Sequence, residues 1–285
     1  MSIRNILVPV RGDGKGEQVL NAALVLARKF DAHLDVIHAR IRSDELLTYG
    51  AALSGIRDAV KDIAETHAAE EEARVKKLFQ EYCEANAIAI INQPKNGAKG
   101  VTASWHEEPG HQANVVARRG RLTDIIFVAQ PEGQLGINTF EMALMETGKP
   151  VVSVPQKAVS ALGKTIAIAW NGSAEVAGAV TTSRPVVEEA DKVFILSAPE
   201  SDGEDHLTAD DLSTYLHWHG CKSETVNLDC DAHQVGQTLL KACADRGVDL
   251  LIMGGYAHVH RHDFKIGGVT QYVVEKAGIP VLFHH

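Results

Sequence analysis

The chain states one pattern twice, and this repeat restricts its fold more than any other feature. Ile6-Leu7-Val8-Pro9-Val10-Arg11-Gly12 is answered by Ile166-Ala167-Ile168-Ala169-Trp170-Asn171-Gly172. The far end of the unit repeats as well. Leu122-Thr123-Asp124-Ile125-Ile126-Phe127-Val128 matches Val248-Asp249-Leu250-Leu251-Ile252-Met253, and Gly148-Lys149-Pro150-Val151-Val152 matches Gly278-Ile279-Pro280-Val281-Leu282. The 285 residues therefore divide into two units of about 140 residues, each long enough to bury a core of its own. We place them at residues 1–156 and 163–285. The join falls in Gln156 to Lys164, where Ser160 and Gly163 interrupt the apolar pattern.

Within each unit short Val- and Ile-rich runs alternate with helical patterns. Ile6 to Val10, Leu34 to His38, Ile125 to Val128 and Val151 to Val154 read as strands buried on both faces, which is the signature of a parallel sheet. Between the first two, Glu17 to Phe30 places Val19, Leu20, Ala23, Leu24, Leu26 and Ala27 on one helical stripe. In the second unit Val193 to Leu196, Thr225 to Leu228 and the helix from Gln234 to Ala244 continue the alternation. The pattern predicts two tandem open parallel-sheet α/β sandwich domains of about five strands each. Lys61 to Ala85 reads as a charged, solvated helix, and Asn86 to Gly100 as an irregular excursion before a strand at Val101 to Trp105.

The candidate chemistry lies at the last repeated loop of the second unit. Leu250-Leu251-Ile252-Met253 runs into Gly254-Gly255-Tyr256-Ala257, then His258 to Ile266, then Gly267-Gly268-Val269-Thr270 opening a helix at Gln271. At the carboxyl end of a parallel strand, glycines let backbone N–H groups approach a phosphate, and the following helix N-terminus adds its positive dipole end. The pattern is neither a Walker loop, since no Gly-Lys-Ser/Thr follows, nor a Rossmann fingerprint, since the glycines do not follow the first strand. The alternative is that these glycines only shape turns.

With these motifs the chain resembles the tandem two-domain members of the universal stress protein family over essentially its whole length. The resemblance implies a nucleotide site, ATP or AMP with Mg, formed in the second unit. Its residues would be Asn171 after the first strand, Ala198 within Ser197 to Pro199, Met253 and Gly254, Ala257, and Gly267, Gly268, Val269 and Thr270. Two positions depart from the family motif: Ala257 stands for a glycine and Gly268 for a serine, although Thr270 supplies a hydroxyl in the first turn. Asn171 stands where an aspartate is usual, and Asn171-Gly172 is equally a common turn pair. The resemblance also implies that Pro150 to Pro155 and Pro280 to His284 meet as an internal pseudo-dimer, that a homodimer and protein partners are to be expected, and that the protein is a stress-response switch. A ligand-free scaffold of the same fold is the alternative.

The first unit departs further. Arg11 replaces the acidic position, and Ala129-Gln130-Pro131-Glu132 to Gly136 replaces the glycine-bracketed loop, so no nucleotide is expected there. His258, His260 and His262 alternate in one loop with Asp263 after them, a set that would suit zinc or nickel if extended, but no Cys-paired or His-Glu-x-x-His framework supports it, so no metal is assigned. Trp105-His106-Glu107-Glu108 gathers two carboxylates and a histidine without a nucleophile beside them. No Gly-x-Ser-x-Gly elbow occurs, so no enzyme is expected. A net charge of -9 without a basic stripe argues against nucleic acid. No apolar run reaches the roughly 20 residues of a membrane span. Cys83, Cys221, Cys230 and Cys243 lack CxxC pairing and no signal-peptide core follows Met1, so a cytoplasmic protein with reduced thiols is expected.

Overall fold

The computed structural model describes residues 2–11, 13–40, 57–93, 99–131, 138–198, 207–255 and 268–285, with backbone alone for 57–65, 67 and 68. The first half runs β1 (Asn5–Val10), α1 (Gly16–Phe30), β2 (His33–Arg40), α2 (Arg57–Ala85), β3 (Ala89–Ile90), β4 (Thr102–Pro109), α3 (Gln112–Arg119), β5 (Ile125–Ala129), α4 (Thr139–Thr147) and β6 (Val151–Val154). The second runs β7 (Thr165–Trp170), α5 (Ala174–Glu188), β8 (Lys192–Ser197), α6 (Ala209–Trp218), β9 (Glu224–Asn227), α7 (Val235–Asp245), β10 (Leu250–Gly254), α8 (Gly268–Lys276) and β11 (Val281–His284).

All eleven strands form one sheet, in the order β3-β4-β2-β1-β5-β6-β11-β10-β7-β8-β9. Every neighbouring pair is parallel except the central one, β6 against β11, which is antiparallel with Val281 opposite Ser153 and Phe283 opposite Val151. The order on one side of this seam repeats in reverse on the other, so the last strand of each half meets its counterpart. Two apolar layers cover the sheet, and each crosses the seam. Val19, Leu26, Val75 and Phe79 of the first half share one layer with Val176, Val180, Leu212 and Leu216 of the second. Val116, Phe140 and Leu144 share the other with Leu239, Val273 and Phe283. Phe140 meets Phe283 edge-on, 5.1 Å between centroids at 76°, and both rings are fully buried.

The repeated aspartates explain part of the echo in the sequence. Asp124 Oδ2 accepts from the N–H groups of Arg4 and Asn5, at 2.7 and 2.9 Å, where β1 begins. Asp249 accepts from Gly163, Lys164 and Thr165 where β7 begins. Each carboxylate, placed just before the fourth long strand of its half, satisfies the entry of the first. Lys29 at the end of α1 adds a bond across the halves, its Nζ donating to Gly163 O at 3.1 Å and Glu189 O at 2.9 Å.

The observed strands differ from the sequence reading in detail. The stretch read as an excursion contains the two-residue edge strand β3, which pairs with Thr102 and Ala103, so the first half has six strands. β4 continues past Trp105 to Pro109 because all eight residues of β2 pair along it.

Phe283→Ala removes the central ring of the seam and should cost about 3–5 kcal/mol. The loss should appear as a lower urea midpoint, against little change for a substitution at exposed Leu122.

Candidate functional site

Open α/β sheets bind ligands beyond the carboxyl ends of strands where the strand order reverses. This sheet has two such points, β7 between β8 and β10, and β1 between β2 and β5.

At the first of these points Asn171 follows β7 directly. Its Oδ1 accepts from Ser173 N at 3.2 Å, Gly172 takes φ +72, and Ser173 Oγ accepts from Val176 N at 3.5 Å as the N-cap of α5. Asn-Gly-Ser therefore closes a turn and starts a helix. Ala198 follows β8, whose last residue, Ser197, donates from Oγ to Asn227 Oδ1 at 3.0 Å. Met253 is buried in the layer with Phe283, and Gly254 ends β10.

The glycines divide by packing. A Cβ on Gly254 would stand 2.9 Å from Val176 N and 2.9 Å from Glu175 Cβ, so only glycine lets β10 approach the first turn of α5 so closely. A Cβ on Gly255 would meet Leu144 of α4 at 2.7 Å, a contact with the other half. A Cβ on Gly268 would meet no described residue within 4 Å. Val269 is half-buried. Thr270 is buried at 8 % exposure, which puts its side chain on the inner side of the helix. Ala257, Gly267 and the His258, His260, His262 set lie outside the described residues. Among the described residues no group of three His, Cys, Asp or Glu side chains is placed to hold a metal ion.

The second point, in the first half, holds a cavity of about 250 Å³. Its walls come from the end of β1 at Arg11, the start of α1 at Lys15 and Gly16, the start of α3 at Gln112, the end of β5 at Ala129 and Gln130, and the start of α4 at Asn138 and Thr139. Arg11 Nε donates to Gln112 Oε1 at 2.7 Å. Asp13, the one described carboxylate lining the cavity, turns its Oδ1 back onto Lys15 N at 3.1 Å. Asn138 caps α4 by accepting from Glu141 N at 2.9 Å. Gln130 reaches away from the cavity into the second half, where its Nε2 donates to Val274 O at 2.7 Å and Ala277 O at 3.2 Å at the end of α8.

Farther out, Glu107 accepts from Trp105 Nε1 and from Lys76 Nζ, and hydrogen bonds from Glu72 first and then from these donors hold its carboxyl down to about 2. Glu72 is pushed up, first by that shared bond and then by desolvation. Glu108 pairs with Arg118 and Arg119. These bonds brace β4 against α2 and α3. The buried thiols of Cys83 and Cys243 are raised by desolvation to about 11 and about 12, the reverse of what an attacking thiolate needs. Among the described residues no helix is long and apolar enough to cross a membrane.

Solved structures with this architecture exist across the full chain. A universal stress protein from Archaeoglobus fulgidus superposes with a TM-score of 0.73 at 14% identity, covering 99% of this chain and 96% of its own. The fold is that of the universal stress proteins. A putative universal stress protein from Pseudomonas aeruginosa (TM-score 0.60, 16% identity, 99% and 93% covered) and a functionally unknown protein from the same organism (0.60, 15%, 99% and 92%) also superpose over the full chain. The sequence matches no protein-family model and no curated protein.

Within this fold the sequence reading brought together the ends of β7 and β10 and the start of α8, but passed over Gln112, Asn138 and Thr139. A signal was present for two of them. The offset that aligns Gly148 with Gly278 aligns Asn138 and Thr139 with Gly268 and Val269, so these residues open the helix of the first half at the very place chosen in the second. Gln112 lies in a stretch without an echo.

The two packing environments give opposite expectations for one substitution. Gly254→Ala should destabilise by about 1–3 kcal/mol, because backbone must move. Gly268→Ala should stay within about 0.5 kcal/mol. Paired denaturation curves measure both.

Proposed function

We propose that the protein is a cytoplasmic, non-catalytic switch or partner-binding module that takes ATP or AMP, with Mg, in the crevice of its second half. The observation that carries this reading is the start of α8 at Gly268, where no described residue would meet an added Cβ, in the half whose strand order reverses at β7 between β8 and β10. The N-terminal N–H groups of such a helix lack intrahelical partners and carry about half a positive charge, which suits a phosphate. The residues of this site are Gly254 and Gly268 with Asn171, Ala198, Met253, Ala257, Gly267, Val269 and Thr270 around them. Gly254 brings β10 against α5, and Gly268 puts no side chain at the first position of the helix. Buried, raised thiols at Cys83 and Cys243 fit a protein that binds without covalent chemistry. The halves already pair through β6 and β11, so protein partners or a second copy would use other surfaces.

A second reading, a ligand-free interaction protein, draws on two of the same residues. Asn171 is occupied by its own turn and Gly254 by helix packing, roles that need no nucleotide.

Calorimetric titration with MgATP, on protein shown by absorbance after denaturation to carry no nucleotide, separates the two. Under the first reading about one site per chain saturates, Gly268→Ser tightens it several-fold through an added hydroxyl, and ligand at 100 times Kd raises stability by about 2.7 kcal/mol. The absence of heat and of thermal shift up to millimolar ATP, in both the native chain and Gly268→Ser, would establish the scaffold reading instead.

A further inference from the structure

The cavity of the first half has the chemistry of a site in its own right, and it is independent of the nucleotide reading. Its described lining carries two cations, Arg11 and Lys15, against one carboxylate, Asp13. Arg11 stands at the carboxyl end of β1, one side of its guanidinium fixed by the bond from Nε to Gln112 Oε1. That bond uses a single N–H of five and sets the plane of the fork, leaving the terminal amino groups with no hydrogen bond or ion pair among the described residues. Gln112 in turn donates from Nε2 to Thr139 Oγ1 at 3.4 Å, so β1, α3 and α4 are tied around the same space.

Three helices begin at this cavity, α1 at Gly16, α3 at Gln112 and α4 at Thr139. Lys15 is the N-cap of α1, and a lysine side chain has no acceptor with which to satisfy the first turn. His111, the N-cap of α3, makes no side-chain cap bond. Only α4 is capped in the usual way, by Asn138. Two helix starts without a side-chain cap, a lysine and an oriented arginine fork therefore border a single hollow. Asp13, the one described carboxylate there, is committed to Lys15 N.

The second half supplies a contrast within the same chain. Where β1 is followed by Arg11, β7 is followed by Asn171, and where α1 begins at Lys15, α5 begins at Ser173, which caps its own helix. Among the described residues at the ends of β1 and β7 and the starts of α1 and α5, these positive charges belong to the first half. A planar arginine fork with surrounding backbone N–H groups matches a phosphate in shape as well as in sign.

We propose that this cavity is a phosphate-class oxyanion site, with Arg11 as the bidentate ligand and Lys15 as the second charge. Gln112 is a positioning residue that sets the plane of Arg11. The oxyanion comes either as free phosphate or as the phosphate group of a small metabolite. Recognition rests on the anion, because the position after β1 offers a cation and no acceptor for sugar hydroxyls.

Titration with inorganic phosphate and, separately, with AMP, each at constant ionic strength against chloride, tests the assignment by calorimetry and thermal shift. Both should saturate in the native chain. Arg11→Gln should weaken the phosphate titration at least ten-fold and Lys15→Gln several-fold, Gly268→Ser should leave it unchanged, and of the AMP heat Arg11→Gln should remove only the part that belongs to this cavity. Equal affinities for phosphate and AMP identify the free ion or any phosphomonoester as the ligand; a tighter AMP titration that still depends on Arg11 identifies a nucleotide as the source. Phosphate behaving like chloride, or phosphate binding that survives in both Arg11→Gln and Lys15→Gln, overturns the proposal. That failure is separate from the failure of the MgATP reading, which Arg11→Gln should leave intact. Arg11 is exposed at the strand end, so its loss should not disturb folding, and unchanged denaturation midpoints in chloride confirm this.

Discussion

Everything in this molecule depends on two short strands lying against each other in opposite directions. β6 and β11 are four residues each, and without their pairing each half would end in an unsatisfied sheet edge lined with Val and Phe. The seam converts two open sheets into one of eleven strands and lets both apolar layers run uninterrupted from one half to the other. Phe140 and Phe283 then pack in a space that neither half encloses alone. The antiparallel direction follows from the near-twofold relation of the halves, since like ends can meet only head to tail.

Much of the fold was legible because the chain carries its own comparison. Runs such as Ile6 to Val10 and Ile166 to Trp170 read as twice-buried parallel strands, and both are. The echo of Gly148-Lys149-Pro150 in Gly278-Ile279-Pro280 marked the strands that meet at the seam. Edge detail was harder. Ala89 and Ile90 pair over just two residues, too few for any periodicity to show. The aspartates were visible as repeated letters while their work was hidden, because Asp249 acts on backbone 84 to 86 positions away and no local pattern encodes that reach.

At the candidate sites legibility split along the same line. Glycine before and after the last loop of the second half was a clear signal, and packing now separates Gly254, demanded by the approach of α5, from Gly268, where an added Cβ would meet no described residue. Asn171-Gly172 reads as a turn from the sequence and forms one. The first half was read by subtraction, as a copy that had lost its acidic residue and glycine loop. Subtraction hid the gain. Arg11 at the position of Asn171, Lys15 in place of a capping serine and Asn138 at the position of Gly268 line a hollow of their own. That lining needs α3 beside β1, a neighbourhood set by the sheet order and invisible in the spacing of letters.

The bond from Gln130 to the last carbonyls of α8 bears on what this gene can lose. Gln130 belongs to the loop that diverged most from its counterpart, yet it finishes a helix in the other half, while Gly255 of that half makes room for Leu144 of the first. The two copies hold each other's parts in place. Once such exchange exists, neither copy can be discarded as a spare, because its absence would leave the survivor with a frayed helix and a naked strand. Duplication here has become inheritance in common.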